Sequence, residues 1–190
     1  MDYEYFLQRI HGVIMPSTGC TEPVAIALNT ATARANAQGE VRQLTITLDN
    51  YLYKNAMGVG IPGADERGVA LCAAMGVTAG DATAKMRVLD HVSPEALGTA
   101  KKMVAEGRVT VKTRSDVHGL LVESVLETDS DTVRVLTLQS HTNIVRVDHA
   151  PFEAYEMCIR DRILIVFILI CNALINKLTG ASLDKGIGGE

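Results

Sequence analysis

Between Arg108 and Val147 the chain carries four runs rich in β-branched and aliphatic residues: "VTVKT", "GLLVESVLE", "TVRVLTLQS" and "NIVRVD". Runs of this length and composition read as strands. Their connections are short and polar, with a turn at Thr128 to Asp131, so an antiparallel meander is the expected arrangement. A further strand is expected at "VRQLTITLDN", Val41 to Asn50, where Leu44, Ile46 and Leu48 alternate with Thr45 and Thr47. That alternation places one face toward a core and leaves the other polar.

The amino-terminal half has the other period. Phe6, Leu7, Ile10 and Val13 fall at helical spacing over Tyr3 to Val13, and Pro16 ends the pattern. A second helix is expected over Val24 to Ala37, opened by Thr21 and Pro23 and closed by Gly39. A third runs from Asp65 to Met75, stopped by Gly76 or Gly80. "SPEALGTAKKMVAEG" supplies the clearest punctuation: Ser93 as cap, Pro94 at the first position, Glu95 near the positive end and Gly107 after the last turn. Helices followed by strands define an α+β domain, with amino-terminal helices around a mostly antiparallel sheet, assigned to residues 1–152.

Residues 153–190 form an atypical apolar tail. "EMCIRDR" precedes "ILIVFILICNALI", Ile163 to Ile175, and the chain closes on "GIGGE". The apolar block falls short of the roughly 20 residues needed to cross a bilayer and suits a buried strand or a core helix, so a membrane span is not the expected reading. "EMCIRDR" resembles the translation of sequencing-adapter read-through, and no function is read from this segment.

The whole chain has a net charge of −4 at pH 7, with no run of Lys or Arg that would follow a phosphate backbone, so nucleic acid is not an expected partner. Cys20, Cys72, Cys158 and Cys171 are widely spaced with no C-x-x-C pair, and "MDYEYFLQRI" is too polar for a signal peptide. A reducing, cytoplasmic setting is the expectation.

Candidate chemistry centres on "MPSTGCTEPVAIAL". Cys20 lies just before a helix start, where free N–H groups and the positive end of the helix dipole favour a thiolate. Glu22 opposes this by its charge, and Gly19 gives the backbone freedom to leave the sulfur approachable. Cys72, in "GVALCAAMG", reads as core packing. "GVGIPG" satisfies G-x-G-x-x-G through Gly58, Gly60 and Gly63, yet "YLYKNAM" separates it from the preceding strand and Pro62 removes a donor. Both features argue against dinucleotide binding. What remains is a glycine loop ahead of a helix, suited either to a small anion or simply to a tight bend, with Lys54 and Asn55 beside it. His141, Thr142 and Asn143 lie in the "SHTNIV" connection between two strands, where side chains can face a pocket. His91, His118 and His149 have no partner at metal-ligand spacing.

"GCTEPVAIAL", "KNAMGVGIPG" and "HTNIV", in this order, resemble the amino-terminal part of the L-cysteine desulfidase family, iron-sulfur enzymes related to the alpha chain of bacterial L-serine dehydratase. The resemblance covers Met1 to His149 and implies a pyridoxal-independent lyase that converts L-cysteine to pyruvate, ammonia and sulfide at a 4Fe-4S cluster. It implies Cys20 as cluster ligand or base, and Cys20 and Glu22 are the candidate catalytic residues. It also implies that Asn55, Gly58, Gly60, Gly63, His141, Thr142 and Asn143 bind the substrate, L-cysteine or L-serine. Family chains are more than twice this length and carry the other cluster cysteines in their carboxyl-terminal half. A cuboidal cluster needs at least three thiolates, so this chain by itself is expected to be an inactive fragment. A non-catalytic small-molecule-binding or interaction domain, attached to a membrane through 163–175, is the alternative. A homo-oligomer is compatible with the sequence.

Overall fold

The computed structural model describes residues 3–117 and 119–153. His118, Cys158, Cys171, the apolar block Ile163 to Ile175 and the expected tail beyond Glu153 lie outside the described residues. The elements below belong to one compact unit, Met1–Phe152.

Helix α1 (Tyr3–Val13) is followed by α2 (Thr21–Asn36), strand β1 (Val41–Asp49), α3 (Asn50–Gly58) and α4 (Val69–Ala79). A 3-10 segment (Ala82–Arg87), α5 (Pro94–Ala105) and strands β2 (Val109–Arg114), β3 (Leu121–Thr128), β4 (Thr132–Leu138) and β5 (Ile144–His149) complete the chain. The five strands form one open sheet in the order β2-β1-β3-β4-β5. Every pairing is antiparallel except β1 with β2. The α+β architecture with a mostly antiparallel sheet is therefore observed. One detail differs from the sequence reading: "VTVKT" does not open the meander but runs parallel to β1 at the far edge. The reason is topological, since α3, α4 and α5 all intervene between β1 and β2 and supply the crossover that a parallel pair requires.

The alternation read in β1 sets the core. Leu44, Ile46 and Leu48 are fully buried, as are Val122 and Leu126 from β3 and Val133 and Val135 from β4. Helix α2 packs onto this face. Every residue from Pro23 to Ala31 is buried, which is why the helix carries alanines where an exposed helix would carry charges. Helix α4 lies against α2 across a seam of small residues. A Cβ placed on Gly76 would sit 2.4 Å from the Ala27 carbonyl oxygen and 2.0 Å from Thr30 Oγ1, so the two backbones approach as closely as glycine allows.

Asn29 ties α2 to the sheet. Its buried side-chain amide donates to the carbonyls of Val122 (3.1 Å) and Val135 (3.3 Å) and to Thr137 Oγ1 (2.9 Å). Across β4 and β5, Arg134 donates to Asp148 Oδ2 through Nε at 3.2 Å and Nη2 at 2.6 Å, and its guanidinium lies 4.8 Å from the centre of the Phe152 ring. The punctuation of α5 is as the sequence indicates: Ser93 Oγ accepts from Ala96 N at 3.2 Å, with Pro94 at the first helical position. Helix α4 starts at Val69 and not at Asp65, because residues 60–67 close a tight loop, with Gly60 bridging Arg67 and Ile61 N donating to Glu66 O. No helix among the described residues is long and apolar enough to cross a membrane.

Candidate functional site

A cleft of about 250 Å³ opens where the carboxyl end of β1, the first turn of α2, α3, the approach to β3 and the β4–β5 connection meet. It is lined by Glu22, Asp49, Tyr51, Leu52, Asn55, Gly119, Leu120 and His141. Three segments far apart in sequence thus each contribute a polar side chain.

Their placement follows from local structure. Asp49 ends β1, is 2% exposed, and caps α3 by accepting from Tyr51 N and Leu52 N, both at 2.9 Å. Its second oxygen accepts from Leu121 N at 2.9 Å, fastening the start of β3 to the start of α3. One carboxylate therefore satisfies two free donors of a helix and one of a strand. With α3 fixed in this way and Leu52 and Ala56 buried on its inner side, Asn55 projects toward α2. Its amide donates to Glu22 Oε1 at 3.2 Å, and the Thr21 hydroxyl donates to Glu22 Oε2 at 3.1 Å. His141 reaches the cleft from the β4–β5 connection. That connection is held by Gln139 N donating to Leu120 O at 3.1 Å, with Gln139 in the left-handed region at φ 68°.

Burial pushes the Glu22 carboxyl upward, but its own backbone amide, the Thr21 hydroxyl, the Asn55 amide and the charge of His141 together outweigh this. The net result is a pKa below the ordinary carboxylate value, so Glu22 is an anion at neutral pH.

Cys20 stands just outside the cleft. It is the N-cap of α2, exposed, with no side-chain capping bond. The loop that carries it is pinned at several points. Thr18 N donates to Met86 O at 3.2 Å, the Thr18 hydroxyl bonds Asp90, and Gly19, at φ +92°, packs against Pro62. The "GCTEP" and "GIPG" segments thus touch. Cys72 supports the same corner from beneath: its buried Sγ–H donates to the Pro23 carbonyl at 2.9 Å, and burial pushes its thiol up to about 12.

The other residues singled out from sequence take different positions. Gly58 is the last residue of α3, an entire helix separates β1 from the glycine motif, and neither Gly58 nor Gly60 lines the cleft. Gly63 has φ +79°, and a Cβ there would lie 2.9 Å from Val92, so its placement answers to the tight loop. Asn143 Nδ2 donates to Leu138 O at 3.0 Å and its amide to Ser140 O at 3.2 Å, while Thr142 O accepts from Ile144 N. These bonds build the turn that presents His141. Lys54 is exposed and does not line the cleft. Asp49, Tyr51, Leu52, Gly119 and Leu120 were not anticipated. The signal for Asp49 was present in "LDNYLYKNA", an acidic residue directly before Leu52 and Ala56 at helical spacing.

The iron-sulfur cluster that the motifs imply would need at least three thiolates at one place. Among the described residues the thiols are Cys20 and Cys72, and no three metal-ligating side chains come together. Cys72 is buried, with its Sγ–H committed to the Pro23 carbonyl. The described residues therefore offer one exposed thiol, Cys20, and do not fit the cluster by themselves.

The fold and cleft define an α+β domain with an anionic, hydrogen-bonded site at the start of its central helix. No protein-family model matches the chain. The homologues of the chain are UPF0597 proteins. It is 32% identical over 160 residues to one from Oleidesulfovibrio alaskensis, a match covering 84% of this chain and 37% of that protein. It is 34% identical over 151 residues to one from Photobacterium profundum (79% and 35%). Against UPF0597 protein YhaM of Salmonella paratyphi C the identity is 35% over 147 residues (77% and 34%). The chain thus spans about a third of the length of the curated relatives it matches.

Proposed function

We propose that the chain contributes the substrate-holding part of a lyase of the L-cysteine desulfidase and L-serine dehydratase type. Such an enzyme removes the α-proton of a small amino acid and expels the β-substituent, sulfide from L-cysteine or water from L-serine. The resulting aminoacrylate hydrolyses to pyruvate and ammonia. One observation supports the reading above the others. The three motifs that resemble the desulfidase family, spread over more than a hundred residues, supply Glu22, Asn55 and His141 to a single cleft.

In this reading Glu22 is held ionised by Thr21 and Asn55 and acts as a fixed charge and not as a proton donor. Cys20, two residues earlier and exposed at the helix start, is the group available to move a proton or to bind metal. His141 adds a donor or acceptor from the opposite wall. The test is product analysis. The protein and the Oleidesulfovibrio alaskensis relative are purified anaerobically, reconstituted with iron and sulfide, and supplied with L-cysteine or L-serine. The relative should release pyruvate with equal ammonia. Failure to form pyruvate from either amino acid would refute the lyase reading and favour a binding domain.

A further inference from the structure

We propose that the cleft takes the ammonium group of its amino-acid ligand, with Glu22 as the anionic partner, and leaves the α-carboxylate outside. The assignment rests on the lyase reading above, but it concerns which end of the molecule enters.

The charge pattern of the walls carries the argument. The ionisable residues lining the cleft are Glu22, Asp49, Tyr51 and His141, and no lysine or arginine lines it among the described residues. The hydrogen-bond donors to Glu22 are its own backbone amide, a hydroxyl and a carboxamide, all neutral, and the imidazole of His141 is the one side chain whose charge acts on it. Asp49 is held by three backbone amides, so its charge too is balanced by dipoles and not by a side-chain cation. Two carboxylates facing one small cavity repel an entering carboxylate and attract a cation. The sequence suggested a carboxylate site at the glycine loop beside Lys54. The structure puts Lys54 outside the cleft and replaces the glycines by Gly119 in its wall.

Size narrows the class. About 250 Å³ lies below the range typical of drug-sized or nucleotide ligands and suits a molecule of a few heavy atoms. Geometry adds direction. Glu22 accepts from Asn55 on Oε1, from Thr21 on Oε2 and from its own backbone amide, which leaves about one of its four lone-pair sites for an ammonium hydrogen. The Asn55 carboxamide, whose nitrogen is given to Glu22, has its oxygen free to accept a second one.

The experiment is a titration of the whole 190-residue chain, followed by NMR of the side-chain amide of Asn55 and the imidazole of His141. L-serine is compared with ethanolamine, which keeps the amine and lacks the carboxylate, and with glycerate, which keeps the carboxylate and has a hydroxyl for the amine. L-serine and ethanolamine should shift these signals saturably and glycerate should not, and Glu22→Gln should weaken both amines at least tenfold. Glycerate shifting the signals as L-serine does would overturn the ammonium assignment and leave the amino-acid reading standing. So would ethanolamine binding unchanged in a Glu22→Gln protein with a folded spectrum. Silence toward both L-serine and ethanolamine would remove the cleft as an amino-acid site altogether. Amine binding without pyruvate formation would retain the assignment and discard only the elimination.

Discussion

Replacing Gly76 by alanine tests the tightness of the seam between α2 and α4. Two effects oppose each other. An alanine in the interior of a helix is favoured over glycine by about 1 kcal/mol. Against this, the new methyl would lie 2.4 Å from the Ala27 carbonyl oxygen, 2.9 Å from Ala27 Cα and 2.0 Å from Thr30 Oγ1. Thr30 can rotate only by giving up its bonds to the carbonyls of Ile26 and Ala27, and the Ala27 backbone cannot rotate at all. Restoring ordinary contact therefore requires the helices to part by about 1 Å along a seam that also buries Ala73 and Val77, and overpacking of this kind costs about 3 kcal/mol. The net expectation is a loss of about 2 kcal/mol, or about 4 to 8 °C in Tm for a chain of this size. The assay is urea and thermal denaturation followed by circular dichroism. Gly98→Ala is the control: Gly98 lies inside α5 with nothing within 4 Å of the added carbon, so that variant should gain up to about 1 kcal/mol. If Gly76→Ala were as stable as Gly98→Ala, the close packing of α2 on α4 would be wrong, and with it the placement of the α2 start.

Asp49→Ala should cost about 3 kcal/mol, because it strips a helix cap and leaves the buried Leu121 N–H unpaired; Asp49→Asn should be nearly as harmful, since its Nδ2 only donates and would face the Leu121 N–H in place of the oxygen that accepts from it. Urea midpoints report the loss, and the Asn55 side-chain amide signal should broaden or move in both. Asn29→Ala removes three buried hydrogen bonds between α2 and the sheet and should destabilise by about 2 to 3 kcal/mol in the same measurement. The Arg134–Asp148 pair predicts a dependence on acid. Burial pushes the Asp148 carboxyl up, but the guanidinium groups of Arg134 and Arg146 hold it below the ordinary aspartate value. Its stabilisation is thus fully present above the unfolded pKa of about 3.9 and is lost as pH falls through the lower folded value. The stability gap between the native protein and Asp148→Asn, measured by urea denaturation, should be constant from about pH 7 to 5 and shrink below about pH 4. A gap that does not change with pH would refute the charge pairing.

The parts of the fold legible in the sequence are those whose signal is local. Leu44, Ile46 and Leu48 alternate because β1 has one buried face, and Ser93, Pro94 and Gly107 mark α5 because helix ends have fixed chemistry. Helix α3 escaped because only Leu52 and Ala56 are buried on it, so a nine-residue helix shows a single apolar pair and reads as a spacer. Missing α3 carried a further error, because without it the glycines of "GVGIPG" seemed to face the same space as Asn55. The parallel position of β2 was hidden for a different reason. Nothing in "VTVKT" distinguishes an edge strand beside β1 from one that opens a meander, and strand order is decided by pairings between residues more than sixty positions apart.

The site itself was legible as residues and not as an arrangement. Cys20 drew attention because it is a thiol at a helix start, yet the group that meets Asn55 and His141 is Glu22, two residues on. That small separation has a mechanical consequence. Cys20 is the N-cap of α2 and Glu22 lies within its first turn, so the vector between thiol and carboxylate is set by one turn of a helix whose next nine residues are all buried. The Cys72 thiol bonded to the Pro23 carbonyl, Gly19 against Pro62 and Thr18 on Met86 hold that turn from three sides. A group inside the cleft held by Glu22 would therefore meet the Cys20 sulfur at a separation that thermal motion of loops alters little. Precision of this kind comes from building on a helix anchored in the core, and here the exposed Cys20 caps a helix whose residues from Pro23 to Ala31 are all buried.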